Sequence, residues 1–389
     1  MLSFENTEIA FKSKSNRDLK RAYWLFRIVS SPRIVKIGKV ISHFALKLNL
    51  PIRGLIKKTI FKQFCGGESI EDCSVKIGEL AQFNVGTILD YSVEGKTSDE
   101  DFEQTVEIII QTINAGKDNS KIPFAVFKVS GIAPNELLEK SSKKESELNE
   151  KEIKEIVQIK SRIERICSAA HTAKVPVFID AEESWIQNII DTWAFDMMLK
   201  FNSEHAIVYN TLQMYRHDRL EFLTTCLEEA KKNAIIYGVK LVRGAYMEKE
   251  RERALTLNYL SPIYPDKNAS DKAFNDALKF IVENEAYFAL CAGTHNEESS
   301  ILLTQELERK QISRDNSKFY FAQLLGMSDH ISFNLANEGF KVAKYVPFGP
   351  VKEVMPYLLR RADENTSVAG QTSRELSLLM KELKRRKKD

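Results

Sequence analysis

The chain has 389 residues, with 57 Lys and Arg against 54 Asp and Glu, a net charge of +3 and 43% hydrophobic residues. That is apolar material enough for a real core, in a length that suits one barrel plus an accessory segment. No apolar run approaches the about 20 residues of a membrane-spanning helix.

From residue 1 to about 80 the pattern is helical, broken by turn signals at Ser31-Pro32 and Cys65-Gly66-Gly67. Phe11 to Lys62 carries 14 Lys and Arg against one acid, Asp18, so this stretch holds +13 and the rest of the chain −10. Trp24, Phe26, Ile34, Ile37, Ile41, Phe44 and Leu48 interleave with the basic residues at helical spacing. Two readings follow: a helical arm packed on the next domain with its basic face in water, or peripheral contact with an anionic membrane surface. No recognition motif accompanies the charge, so nucleic acid is not an expected partner. The five cysteines are odd in number and scattered, with neither zinc-type spacing nor a disulfide framework, and no apolar signal segment follows Met1. A reducing, cytoplasmic setting is the expectation, peripheral on the inner face of the membrane if the basic stretch docks there.

From Val85 onward short apolar runs alternate with longer helix-like stretches. The candidate strands are Val85–Val93, Phe124–Ser130, Val175–Ala181, Ala206–Asn210, Tyr237–Gly244, Tyr287–Gly293, Phe319–Leu325 and Ala343–Pro347. Strand–helix alternation repeated eight times predicts an α/β fold: a (β/α)8 barrel over 81–389, preceded by a helical, basic segment over 1–80. The long charged connection from Asn135 to Thr172 reads as one solvent-facing helix, and the charged tail Lys381–Asp389 as a fraying end.

In such barrels chemistry gathers at the C-terminal ends of the strands. Here those ends carry Lys128, then Asp180-Ala181-Glu182, Gln213, the run Lys240 to Tyr246 with Arg243-Gly244-Ala245, Thr294-His295-Asn296, Gln323 and Tyr345. Any one of these reads equally well as a structural ion pair, but charges inside a barrel need partners or ligands. Lys240 and Arg243 beside small Gly244 and Ala245 let a phosphate-bearing cofactor approach the backbone. There is no G-x-G-x-x-G, no P-loop and no metal-type clustering of His, Cys and carboxylates, so no metal is expected.

After the eighth run, Gly349 to Ser367 places Tyr357, Arg360, Arg361 and Glu364 on one face if it is helical. Two guanidinium groups can grip a carboxylate through paired hydrogen bonds, although the same face also reads as a solvated surface with an Arg360–Glu364 ion pair. Pro350 and Pro356 cannot both lie inside one regular helix.

Lys240-Leu-Val-Arg-Gly-Ala-Tyr246, Thr294-His-Asn296, Gln323-Leu-Leu-Gly-Met327, Lys344-Tyr-Val-Pro-Phe-Gly-Pro350 and Tyr357-Leu-Leu-Arg-Arg-Ala-Asp-Glu-Asn365 together resemble proline dehydrogenase, over roughly Val85 to Arg386. The likeness is to the single-function branch that includes the mitochondrial enzymes. It implies a distorted barrel holding FAD, oxidation of L-proline to Δ1-pyrroline-5-carboxylate, and electrons passed to a membrane quinone. By resemblance, Arg360, Arg361 and Lys128 bind the proline carboxylate, Tyr345 and Tyr357 wall the ring, and Asp180 and Lys240 are the catalytic pair near the flavin. Ala181, Gln213, Lys240, Arg243, Gly244, Ala245, Thr294, His295, Asn296, Gln323 and Glu364 are the implied cofactor contacts. Many members carry Arg at the position of Lys240 and Trp at that of Met247. Two alternatives remain open: oxidation of hydroxyproline or another cyclic imino acid, and a flavin-free lyase or aldolase with a Schiff base on Lys128 or Lys240.

Overall fold

The computed structural model describes residues 2–30, 53–93, 97–143, 148–367 and 371–388. All eight expected strands form: β1 Val85–Tyr91, β2 Phe124–Phe127, β3 Val177–Ile179, β4 Val208–Gln213, β5 Tyr237–Val242, β6 Phe288–Gly293, β7 Phe319–Leu324 and β8 Val342–Phe348. They close a parallel barrel in chain order, with helices in the connections, which is the (β/α)8 architecture. Most ends fall within one or two residues of the expectation, and β2 and β4 depart by three at their C-terminal ends. β4 runs on to Gln213, because Thr211, Leu212 and Gln213 continue its ladder against Lys240, Leu241 and Val242 of β5. β2 stops at Phe127, because Val129–Gly131 curls into a 3-10 turn.

By packing, the chain divides into two compact units, Met1–Glu94 with Gln323–Asp389, and Gly95–Ala322. In the first, β1 pairs with β8 along its whole length, from Val85 opposite Val342 to Tyr91 opposite Phe348. The Asn16–Val29 helix buries Leu19, Ala22 and Phe26 against Leu378 and Leu379 of the Gln371–Arg385 helix. Over these residues the basic stretch is a packed arm; its middle, 31–52, lies outside the described residues. The tail does not fray as expected. Arg386 donates to the carbonyls of Phe11 and Lys14, each at 2.8 Å, and fully buried Glu382 accepts from Arg385 and Arg386. Ionic caps on a docked helix hold the last turn in place.

In the second unit, Phe124 of β2, Phe178 of β3, Tyr209 of β4 and Tyr320 of β7 pack ring on ring. Phe124 and Phe178 stack at 4.5 Å, and the rings of Tyr209 and Tyr320 meet Phe124 edge-on. Each such pair adds about 1 kcal/mol beyond the apolar area that it removes from water. Side chains on a strand repeat every second residue. The positions two and four residues past Phe124 and Phe178 therefore follow these rings along the same face toward the C-terminal rim. The Asn135–Thr172 connection is two helices, Asn135–Lys143 and Glu150–Ala173, not one solvent-facing rod. The second starts with a capping box between Asn149 and Glu152 and buries Ile156, Ile159, Ile163 and Ile166. Its charges mask an apolar stripe at helical spacing. All five cysteines are buried thiols.

Candidate active site

Phe178 is the last apolar rung below the rim: two residues on, β3 presents Asp180. β2 and β3 pair with Ala125 opposite Val177 and Phe127 opposite Ile179. Carried one residue further, that register sets Lys128 opposite Asp180, and Lys128 Nζ lies 3.0 Å from Asp180 Oδ2. Lys240, from β5, takes the other carboxylate oxygen and sits over the Phe178 ring at 5.3 Å. The Lys240 side chain is 5% exposed, Asp180 13% and Lys128 31%, so one carboxylate joins a buried cation to a half-buried one. Burial alone drives Asp180 toward its neutral form, but the two ammonium groups outweigh it and hold its carboxyl below the usual range.

Two further constellations share this unit. Gln213, at the end of β4, donates to the carbonyl of Glu182 at 2.7 Å and accepts from the Ala245 N–H at 3.0 Å. It therefore clips the β3 and β5 loops together. Arg243 donates to Asp271 at 2.6 Å, Thr294 Oγ1 at 2.6 Å and Ser299 Oγ at 2.9 Å, and stacks on Phe274. The Asn296 N–H reaches Thr294 Oγ1, and the Asn296 side chain caps the Glu297–Arg309 helix; His295 lies half-buried between them. Gly244 has φ +148, and a Cβ there would stand 2.5 Å from the Tyr215 ring, so glycine alone holds this bend. Gly244 and Ala245 are exposed, while Ala181 is buried. Open backbone at a glycine, flanked by Lys240 and Arg243, suits a bulky anionic cofactor. The donor set fits a flavin nucleotide.

Gln323 is placed differently. It belongs to the first unit, where its amide oxygen accepts from Ser332 on the Asp329–Asn337 helix at 2.7 Å. In the first unit Pro356 occupies the first turn of a Met355–Ser367 helix, and Pro350 precedes it, which reconciles both prolines with one regular helix. Tyr357 and Arg361 are buried, with the guanidinium 5.1 Å from the Tyr357 ring centre. Arg360 is half-buried, so this face is not an ordinary solvated surface. Tyr345 is buried on β8; the Glu364 side chain lies outside the described residues.

Sequence reasoning passed over Glu182, Ser130 and Asp271. Glu182 stands beside Asp180 in the sequence, but its partner, Ser130, reads there only as the last residue of the second candidate strand, Phe124–Ser130. Asp271 lies 28 positions beyond Arg243, and nothing in the intervening sequence announces the pairing.

The chain matches the family model described as proline dehydrogenase over residues 73–374. It is 33% identical to proline dehydrogenase 1, mitochondrial, of Dictyostelium discoideum, over 98% of this chain and 74% of that one. It is 31% identical to the carbapenem antibiotics biosynthesis protein CarD of Pectobacterium carotovorum, over 95% of this chain and 96% of that one. Among solved structures, proline utilization A from Bdellovibrio bacteriovorus superposes with a TM-score of 0.73 at 18% identity, over 95% of this chain and 40% of the other, and supports the barrel fold. Among the described residues no helix is long and apolar enough to cross a membrane. The lyase and aldolase alternative gives way to these matches: the chain belongs to the proline dehydrogenase family and is an oxidoreductase of that type.

Proposed function

We propose that this protein oxidises L-proline to Δ1-pyrroline-5-carboxylate with FAD as its cofactor and a membrane quinone as the final acceptor. The observation that carries this reading is the Lys128–Asp180–Lys240 rung at the strand ends. A buried and a half-buried cation held by one carboxylate leave a net positive site for an anionic substrate and cofactor. FAD, when bound, accepts the hydride that leaves C5 of proline.

The chain's own residues would hold the reactants. We assign the substrate carboxylate to Lys128, Arg360 and Arg361, and the ring walls to Tyr345 and Tyr357. Asp180 orders the lysines, and Lys240 provides positive charge where the reduced cofactor becomes anionic. Cations around the substrate also favour its neutral amine, the form that can lose hydride. Gln213, Arg243, Gly244, Ala245, Thr294, His295 and Asn296 would hold the cofactor, with Ala181, Gln323 and Glu364 assigned to the same set by resemblance. Cytoplasmic location with peripheral attachment would bring the reduced enzyme to its quinone, and the basic stretch of residues 11–62 supports that attachment.

Purified protein should be yellow and should bleach anaerobically on adding L-proline; a colourless protein that also rejects added FAD would refute this. The buried phenol of Tyr345 should favour proline over 4-hydroxyproline in kcat/KM, and the reverse preference would reassign the substrate. Arg361→Met should raise KM on the order of tenfold to a hundredfold while FAD stays bound. Salt-sensitive co-sedimentation with anionic liposomes, lost on deleting residues 1–62, tests the attachment.

A further inference from the structure

Glu182 is buried at the rim, outside the proposed substrate and cofactor contacts. Beyond the Lys128–Asp180 rung β2 curls into the Val129–Gly131 3-10 turn, and this turn brings Ser130 to Glu182. The Ser130 N–H donates to Glu182 Oε1 at 2.9 Å, and the Ser130 hydroxyl pairs with Oε2. The main chain of Glu182 is held as well. Its N–H donates to Gln187 Oε1 at 2.8 Å, and its carbonyl accepts from Gln213 Nε2 at 2.7 Å. One residue thus ties the β2 turn, the Ser184–Phe201 helix and the end of β4 to the rung that carries Lys128.

We propose that Glu182 is a positioning residue for Lys128, and that its charge state regulates how strongly that lysine binds an anionic substrate. The proposal rests on the reading of Lys128 as a substrate cation. A hydroxyl can donate to a carboxylate or accept from a carboxylic acid, so the Ser130–Glu182 link survives protonation while the charge changes. Ionised, Glu182 is a second carboxylate competing with substrate for Lys128, beside Asp180. Protonated, it leaves Lys128 to Asp180 and the ligand.

The surroundings place this change near neutrality. Burial pushes Glu182 up to about 7, against the hydrogen bonds from Ser130 and the charge of Lys128, with Glu183 adding to the rise. Glu183 is itself paired with Lys249 at 2.7 Å, and the Tyr246 phenol is pushed well up by burial and by Glu182. Gln187 and Gln213, the other side chains bonded to Glu182, do not titrate.

The test is the dissociation constant of tetrahydrofuran-2-carboxylate on the holoenzyme, measured by calorimetry. This cyclic ether acid has proline's shape but no amine to titrate. In the native protein the constant should rise on the order of three- to tenfold from about pH 5.5 to about pH 8.5. Glu182→Gln keeps the shape and the Ser130 contacts, and should stay flat at the low-pH value. Ser130→Ala removes a bond that favours the carboxylate, and should move the transition to higher pH. A flat native profile, or a Glu182→Gln profile that superimposes on the native one, overturns the proposal. Lys128→Met separates the two readings. If it binds the analogue as tightly as the native chain, the substrate role of Lys128 fails and the proposal falls with it. If it weakens binding while Glu182→Gln changes nothing, only the regulation fails.

Discussion

Replacing Asp180 with Asn keeps the shape of the side chain and removes its charge, which isolates what the carboxylate does for folding. Lys240, with a side chain 5% exposed, would then face an amide instead of an anion. Removing one partner of a buried ion pair costs about 3–5 kcal/mol, because the remaining charge keeps its desolvation penalty. Lys128, at 31% exposure, is screened by water and contributes at most about 1 kcal/mol of that. The loss therefore belongs mainly to the Lys240 contact. Lys240→Met should cost less, since Asp180 retains Lys128. The double variant should be more stable than the sum of the singles implies, by at least about 1.5 kcal/mol. Urea unfolding followed by the fluorescence of Trp185 and Trp193, which lie on the helix following β3, measures all four proteins at pH 7. Asp180 has its carboxyl held below the ordinary value of 3.8, so its contribution is present above that value and is lost as the pH falls through the lowered one. Native and Asn variants should accordingly converge in acid. A loss below about 1 kcal/mol for Asp180→Asn, or strict additivity in the cycle, would refute the coupling.

Three other outcomes are expected. Lys344 is fully buried, 2.8 Å from Asp329, which it holds well below the carboxylate range against burial. Lys344→Met should cost about 3–5 kcal/mol in urea unfolding, and Asp329→Asn in that background should restore part of it. Gly326 has φ +77, and a Cβ there would lie 2.2 Å from the Gln63 carbonyl; Gly339 has φ +88 with nothing near. Gly326→Ala should therefore lose at least about 2 kcal/mol and Gly339→Ala about 1 kcal/mol, and equal losses would mean that the Gln63 backbone yields freely. Glu182 is raised from 4.5 to about 7, so its stabilising contribution is full below 4.5 and is lost as the pH rises through 7. Measured against Glu182→Gln, the native protein should lose about 3 kcal/mol of stability between about pH 4 and about pH 8, and a constant difference would show that Glu182 titrates normally.

Local pattern carried a long way here. Apolar runs of strand length alternating with helix-period stretches are near-neighbour properties of the chain, and all eight strands were legible from them. The polar groups at their ends were legible for the same reason, since a Lys or Asp closing an apolar run is visible without knowing its partner. The Asn135–Thr172 connection was misread because many charges hid an apolar stripe that only packing makes obvious. The tail was misread because Arg386 finds the carbonyls of Phe11 and Lys14, which lie at the other end of the sequence.

The sequence by itself determined which residues arrive at the rim: Lys128, Asp180, Lys240 and Arg243 are placed there by strand length and period. Only the tertiary structure decided who meets whom. The β2–β3 register puts Lys128 on Asp180, the 3-10 turn after β2 brings Ser130 to Glu182, and the curve of the sheet from β3 through β4 to β5 brings Lys240 to Asp180 as well. Register and burial are properties of pairs of strands and of the water that they exclude. The charge on Glu182 and the partners of Arg243 therefore could not be read along the chain.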